Sequence, residues 1–240
     1  ILEKNQSQKL LIFLENWLKN KINITLKSLI DLKNLKEKNS SMKALAYQLY
    51  ENNGVLKRDQ VSEYLKKLGQ NERKILRDLG VKFGRYHVFL HRLIKPDAVS
   101  LRTLLWKNYN QKNFTLKPPT FGLNFLDNNK VKDRNFMLLC GFEKFENFFI
   151  RIDILERLFV QIINSSSEKE KQVKMMPEML NLLGCNKENF KKLLKSMNYI
   201  VLEKNDETYF KYKPKKIFKK AGKKIEKENP FGILKNLNLN

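Results

Sequence analysis

Apolar residues recur at helical spacing from the start of the chain. Leu10, Leu11, Leu14, Trp17 and Leu18 fall three and four apart, and the pattern resumes at Ile22, Leu26, Leu29 and Ile30. The first 35 residues therefore read as helices sharing one apolar stripe. Ser40 and Ser41 stand where a cap is wanted, ahead of a helix carrying Leu45, Tyr47 and Leu49, and Gly54 stops it. Two further helices are expected over 58–68 and 71–79, each with apolar residues three and four apart.

The helical period breaks at Gly80. Val81, Phe83, Tyr86, Val88 and Phe89 bring β-branched and aromatic residues around Gly84 until Lys95-Pro96, which predicts a short hairpin or irregular extended piece. Asp97 then starts a helix through Leu101, Leu104, Leu105 and Trp106, and Asn110 to Asp133 follows neither period. That stretch reads as a linker between two domains.

Beyond it, Phe136 to Phe142 and Phe145 to Ile150 read as two short strands, and Ile150, Ile154, Leu155, Leu158, Phe159 and Ile162 line one face of a helix. Pro177 suits the first turn of a short helix that Gly184 ends, and Asn186 caps the next, whose apolar face is Phe190, Leu193, Leu194 and Met197. Tyr199 to Leu202 and Tyr209 to Lys213 read as a hairpin around Asn205-Asp206. The expected fold is mainly α with small β-hairpins: an N-terminal helical domain (1–109), a linker (110–133), a winged-helix-like domain (134–213) and a lysine-rich tail (214–240).

Composition adds a partner. The chain of 240 residues, 42% of them apolar, can bury a sizeable core. Its 48 Lys and Arg against 25 Asp and Glu give a formal charge of +23, which a polyanion would offset: nucleic acid or an acidic membrane surface. No apolar run reaches the roughly 18 residues of a spanning helix and no signal region opens the chain, so a soluble, cytoplasmic protein without a membrane partner is expected. Cys140 and Cys185 lack metal-ligand spacing and read as free thiols of a reducing compartment. A first residue Ile1, followed at once by helical pattern, suggests the tail of something longer.

Candidate chemistry is sparse. There is no Gly-rich loop ending in Lys-Ser or Lys-Thr to cradle a triphosphate, and Gly80 and Gly84 lack dinucleotide spacing. His87 and His91 read as ordinary surface or partly buried histidines rather than metal ligands, and Asp153 and Glu156, flanked by Arg151 and Arg157, as local ion pairs. No catalytic residue, metal ligand or cofactor of this chain is assigned. The basic positions are better candidates: Lys187, Lys191, Lys192 and Lys195 on the polar side of a helix, Lys213, Lys215 and Lys216 beyond the hairpin, and Lys82, Arg85, Arg92 and Lys95 among the aromatics around Gly84. Their spacing suits phosphate contacts, so binding should be sequence-tolerant and salt-sensitive.

Several stretches, KALAYQL (43–49), GVKFGRYHVFLHRLIKP (80–96), LRTLLW (101–106), RIDILERL (151–158) and 179–199 with its LLGC and NY elements, carry a family likeness. In that order they resemble the C-terminal region of an alphaproteobacterial superfamily-two ATP-dependent helicase family, related to the mitochondrial degradosome RNA helicase. Asn229-Pro230-Phe231 resembles the family's closing element, whereas His91 stands where the family usually shows proline and Met176 where it shows a hydroxyl residue. The resemblance implies an accessory region that grips RNA or DNA beside motor domains N-terminal to this segment. ATP and magnesium would serve that motor, and this chain alone would be inactive. The competing expectation is a basic structural or ribosome-associated RNA-binding protein without enzymatic activity.

Overall fold

The structure is a computed structural model that describes residues 4–36, 40–110, 116–127, 133–165, 172–204 and 206–214. It is mainly helical, with three small antiparallel sheets of three strands each among the described residues.

In the first half, α1 (Lys4–Thr25), α2 (Lys27–Lys33) and α3 (Ser40–Glu51) precede β1 (Val55–Lys57). Met42, Leu45, Ala46 and Leu49 of α3 are 0–1% exposed, because their three- and four-residue spacing puts all four on one face. Burying each leucine there contributes about 1.5–3 kcal/mol. Gly54, at φ 79°, turns the chain from α3 into β1, and a Cβ at that position would collide with Leu93. By contrast, the stripe Leu10, Leu11, Leu14, Trp17 of α1 is exposed, since α1 reaches the core only from Ile22 onward.

The helix expected over 58–68 is split into a 3-10 turn (Arg58–Val61) and α4 (Ser62–Lys67), followed by α5 (Gln70–Asp78). The split has a tertiary cause. The Arg58 amide donates to Tyr86 O at 2.7 Å and its guanidinium to Gly84 O at 2.7 Å, which ties the start of the segment to the 84–86 turn. That turn joins β2 (Val81–Phe83) to β3 (His87–Leu90), the edge and centre of a sheet ordered β1-β3-β2. A second 3-10 turn (His91–Ile94) leads into α6 (Pro96–Asn110).

Two expectations change in the second half. The stretch read as a linker supplies β4 (Phe125–Asp127), which pairs Phe125 with Ile150 and Leu126 with Phe149. A strand this short shows no alternation in the sequence, and its partners make it one. Residues 136–139, read as the start of a strand over 136–142, instead belong to α7 (Arg134–Leu139), because the Asp133 carboxylate accepts the Phe136 amide at 2.9 Å and caps it. Val99 of α6 packs with Phe136, Met137, Cys140, Phe142 and Phe149, so one apolar cluster joins α6 to residues 136–149.

β5 (Phe142–Phe145) and β6 (Phe148–Arg151) complete the sheet β4-β6-β5. α8 (Ile152–Ser165), β7 (Val173–Lys174), α9 (Pro177–Leu183) and α10 (Lys187–Ser196) then lead into the hairpin of β8 (Tyr199–Lys204) and β9 (Glu207–Tyr212), in a sheet ordered β7-β9-β8. Local signals act as the sequence suggests: Pro177 opens α9, Gly184 ends it at φ 70°, and the Asn186 side chain accepts the Asn189 amide at 2.8 Å. Ile154, Leu155, Leu158 and Phe159 of α8 meet Phe190, Leu193, Leu194 and Phe210 in the core of this half. Among the described residues no helix is long and apolar enough to cross a membrane.

Candidate nucleic-acid interface

The basic turn at 84–87 is held from the opposite half of the chain. Glu156 of α8 accepts the amides of Arg85, Tyr86 (3.0 Å) and His87 (2.8 Å), and its Oε1 lies 3.0 Å from His87 Nδ1. The imidazole's other nitrogen, Nε2, lies 3.2 Å from Glu143 Oε2 on β5. Glu143 in turn meets Lys57 Nζ at 3.3 Å and the Arg134 guanidinium at 3.0 Å. Each of His87, Glu143 and Glu156 thus has a partner of opposite sign, which is what makes their burial tolerable.

Protonation follows from the same contacts. Burial acts to lower the basicity of His87, but hydrogen bonds and charge from Glu143 and Glu156 outweigh it and raise its pKa. For Glu143, burial acts upward, and His87, Lys57 and Arg134 overcome it and hold the carboxyl down to about 2. Sequence reading missed this cluster. His87 is 2% exposed rather than an ordinary surface or partly buried histidine, and Glu156 bonds the 85–87 backbone rather than a local arginine; only Asp153 makes the expected local pair, with Arg151 at 2.7 Å.

The aromatics around Gly84 are used by the core. Phe89 is 3% exposed, the Tyr86 ring stands edge-on to Phe159 at 4.3 Å, and Phe83 packs against the first-half core beneath Arg77. Burial and the neighbouring Tyr199 push the Tyr86 phenol up, so it is neutral. Among these three, none is laid open as a platform for a base.

Lys82, Arg85, Arg92 and Lys95 are all exposed. Lys82 and Arg92 line a common cleft with Lys27 and Arg77. Arg85 instead lies over the ring of Tyr212 at 5.7 Å, at the end of β9 next to exposed Lys213. The structure therefore joins Arg85, one of the basic residues around Gly84, to the hairpin. Tyr212 itself, 38% exposed and flanked by Lys211 and Lys213, escaped the sequence reading, although the alternation Phe210, Tyr212 along a strand of basic residues signals it.

On α10, Phe190, Leu193 and Leu194 are buried, while Lys187, Lys192 and Lys195 are exposed. Lys191 is half-buried and ion-paired with Glu203 of β8. The hydrogen bond from Lys191, followed by its charge, lowers the Glu203 pKa. Lys191 is thus the α10 lysine least free to meet a phosphate. Lys192 and Lys195 have no carboxylate within 4 Å among the described residues. Lys215 and Lys216 lie outside the described residues.

Among the described residues no group of three His, Cys, Asp or Glu could hold a metal ion. In comparisons with known proteins, no family model, curated protein or solved structure matches this chain.

Proposed function

We propose that the chain binds nucleic acid, RNA or DNA, through its phosphates and does so as the C-terminal accessory region of an ATP-dependent helicase. The observation that carries the binding is α10, which buries one face and leaves Lys187, Lys192 and Lys195 exposed. The order α8, β7, α9, α10, β8, β9, with strands arranged β7-β9-β8, supports a winged-helix reading, in which the last of three helices meets the nucleic acid. Lysines at these positions neutralise phosphates without reading base edges, so sequence tolerance is expected. Tyr212 beside Arg85 and Lys213 adds an aromatic face suited to an unpaired base. The helicase assignment rests on the resemblance of the 80–96 and 151–158 stretches, whose residues Gly84 and Glu156 meet in the fold. ATP and magnesium would belong to the motor domains.

Binding of a short single strand measured across a salt series tests the reading. About six phosphate contacts to a single strand should weaken binding roughly 300-fold between 50 and 200 mM salt. A flat response, or no binding at low salt, would remove the proposal.

A further inference from the structure

A cleft of about 320 Å³ lies between α2, the end of α5, β2 and the 3-10 turn at 91–94. Lys27, Arg77, Lys82 and Arg92 line it, each from a different element, and all four are exposed. None of the four has a carboxylate within 4 Å among the described residues, although Asp31 and Asp78 share the lining. Four cations against two carboxylates leave the cleft positive.

A second observation is independent of charge. Ser28, also in the lining, is 6% exposed, and its Oγ has no hydrogen-bond partner. Serine in a helix commonly returns its hydroxyl to a carbonyl one turn back, and a buried hydroxyl left unpaired is an uncommon arrangement that a ligand atom can complete. Gly80, at φ 92°, turns the chain from α5 into β2 beside Ser28, where a Cβ would come within 3.9 Å of the serine Cβ. The turn thus packs beside the Ser28 side chain at its Cβ.

We propose that this cleft binds a phosphate group, with the Ser28 hydroxyl as donor and Arg77, Lys82, Arg92 and Lys27 as counter-charges. Two guanidinium groups favour phosphate over a smaller anion, because each offers paired N–H donors that match adjacent phosphate oxygens. His91, half-buried in the same lining, has its pKa lowered by burial and then by Lys95, so it stands there as a neutral ring that can donate one N–H. A phosphodiester of a bound strand and a free phosphate share this chemistry. The strand as source rests on the nucleic-acid reading above, whereas the site itself does not.

The test uses the full chain in two arms. Inorganic phosphate is titrated while the backbone amide resonances of Ser28 and Gly80 are followed; saturable shifts are expected, abolished in the double variant Arg77→Gln, Lys82→Gln and kept in Lys74→Gln, an exposed α5 lysine outside the cleft. Ser28→Ala should weaken phosphate binding without lowering the thermal midpoint, an outcome that a purely structural serine would not produce. In the second arm a short single strand is titrated across salt. The double variant should raise Kd about tenfold and flatten the salt slope by about one for each phosphate left unneutralised, with little change for Lys74→Gln.

Phosphate shifts with an unaltered strand response would support the site and assign it a free phosphate. Absence of phosphate shifts, together with a strand response equal to wild type, would overturn the site while leaving the nucleic-acid reading intact. If the wild-type chain binds no strand, that reading fails and the phosphate titration alone decides the cleft.

Discussion

Nδ1 of His87 lies 3.0 Å from Oε1 of Glu156, across 69 residues of chain. Through this pair and the three amides that Glu156 also accepts, a turn of the first half is fastened to α8 of the second. The position of Arg85 over Tyr212, and so the contact between the two basic groups, depends on that fastening.

Removing the carboxylate should loosen it. Glu156→Ala leaves His87 and three amides without their acceptor, and breaking a buried pair in this way costs about 3–5 kcal/mol. Urea unfolding followed by fluorescence is the measurement. A loss below about 1 kcal/mol, the range of an exposed ion pair, would show that Glu156 does not hold the turn.

Gly84→Ala should act on the same contact from the other side. A Cβ at Gly84 would collide with the Glu156 carboxyl, which is pinned by its hydrogen bonds. Overpacking of this kind costs about 1–3 kcal/mol. The double variant Gly84→Ala, Glu156→Ala should cost less than the sum of the singles, and strict additivity would contradict the shared contact.

The His87–Glu143 pair should give stability a pH signature. Glu143 is depressed from 4.5 to about 2, so its contribution is present above 4.5 and lost as pH falls through about 2. His87 is raised above 6.5, so its contribution is full below 6.5 and lost as pH rises through its folded value. The urea midpoint of the wild type should therefore decline on the alkaline side relative to that of His87→Gln. Parallel profiles for the two proteins would refute the assignment.

Strand binding should separate the α10 lysines. Lys192→Gln with Lys195→Gln should flatten the salt slope by about one for each phosphate left unneutralised. Lys191→Gln should change it less, because Glu203 already pairs with Lys191. Equal effects from all three positions would point to net charge rather than to this face.

Tyr212→Ala should weaken single-strand binding by about 1–3 kcal/mol if a base stacks there, with Tyr212→Phe close to wild type. Identical affinity for both variants and the wild type would exclude Tyr212 from the interface.

Where local chemistry decides conformation, the sequence alone determined the outcome. Pro177, Gly184 and Asn186 set the bounds of α9 and α10, and the spacing of Phe190, Leu193 and Leu194 decided which face of α10 is buried and which lysines remain outside. Those effects act within a turn or two of the chain. The tertiary structure alone decided the rest: that 125–127 is a strand, that α1 leaves Trp17 exposed, that Glu156 serves the 84–87 turn, and that Lys27, Ser28, Arg77, Lys82 and Arg92 share one cleft. Each of those depends on partners far along the chain, and hydrophobic periodicity records which face is apolar without naming what will cover it.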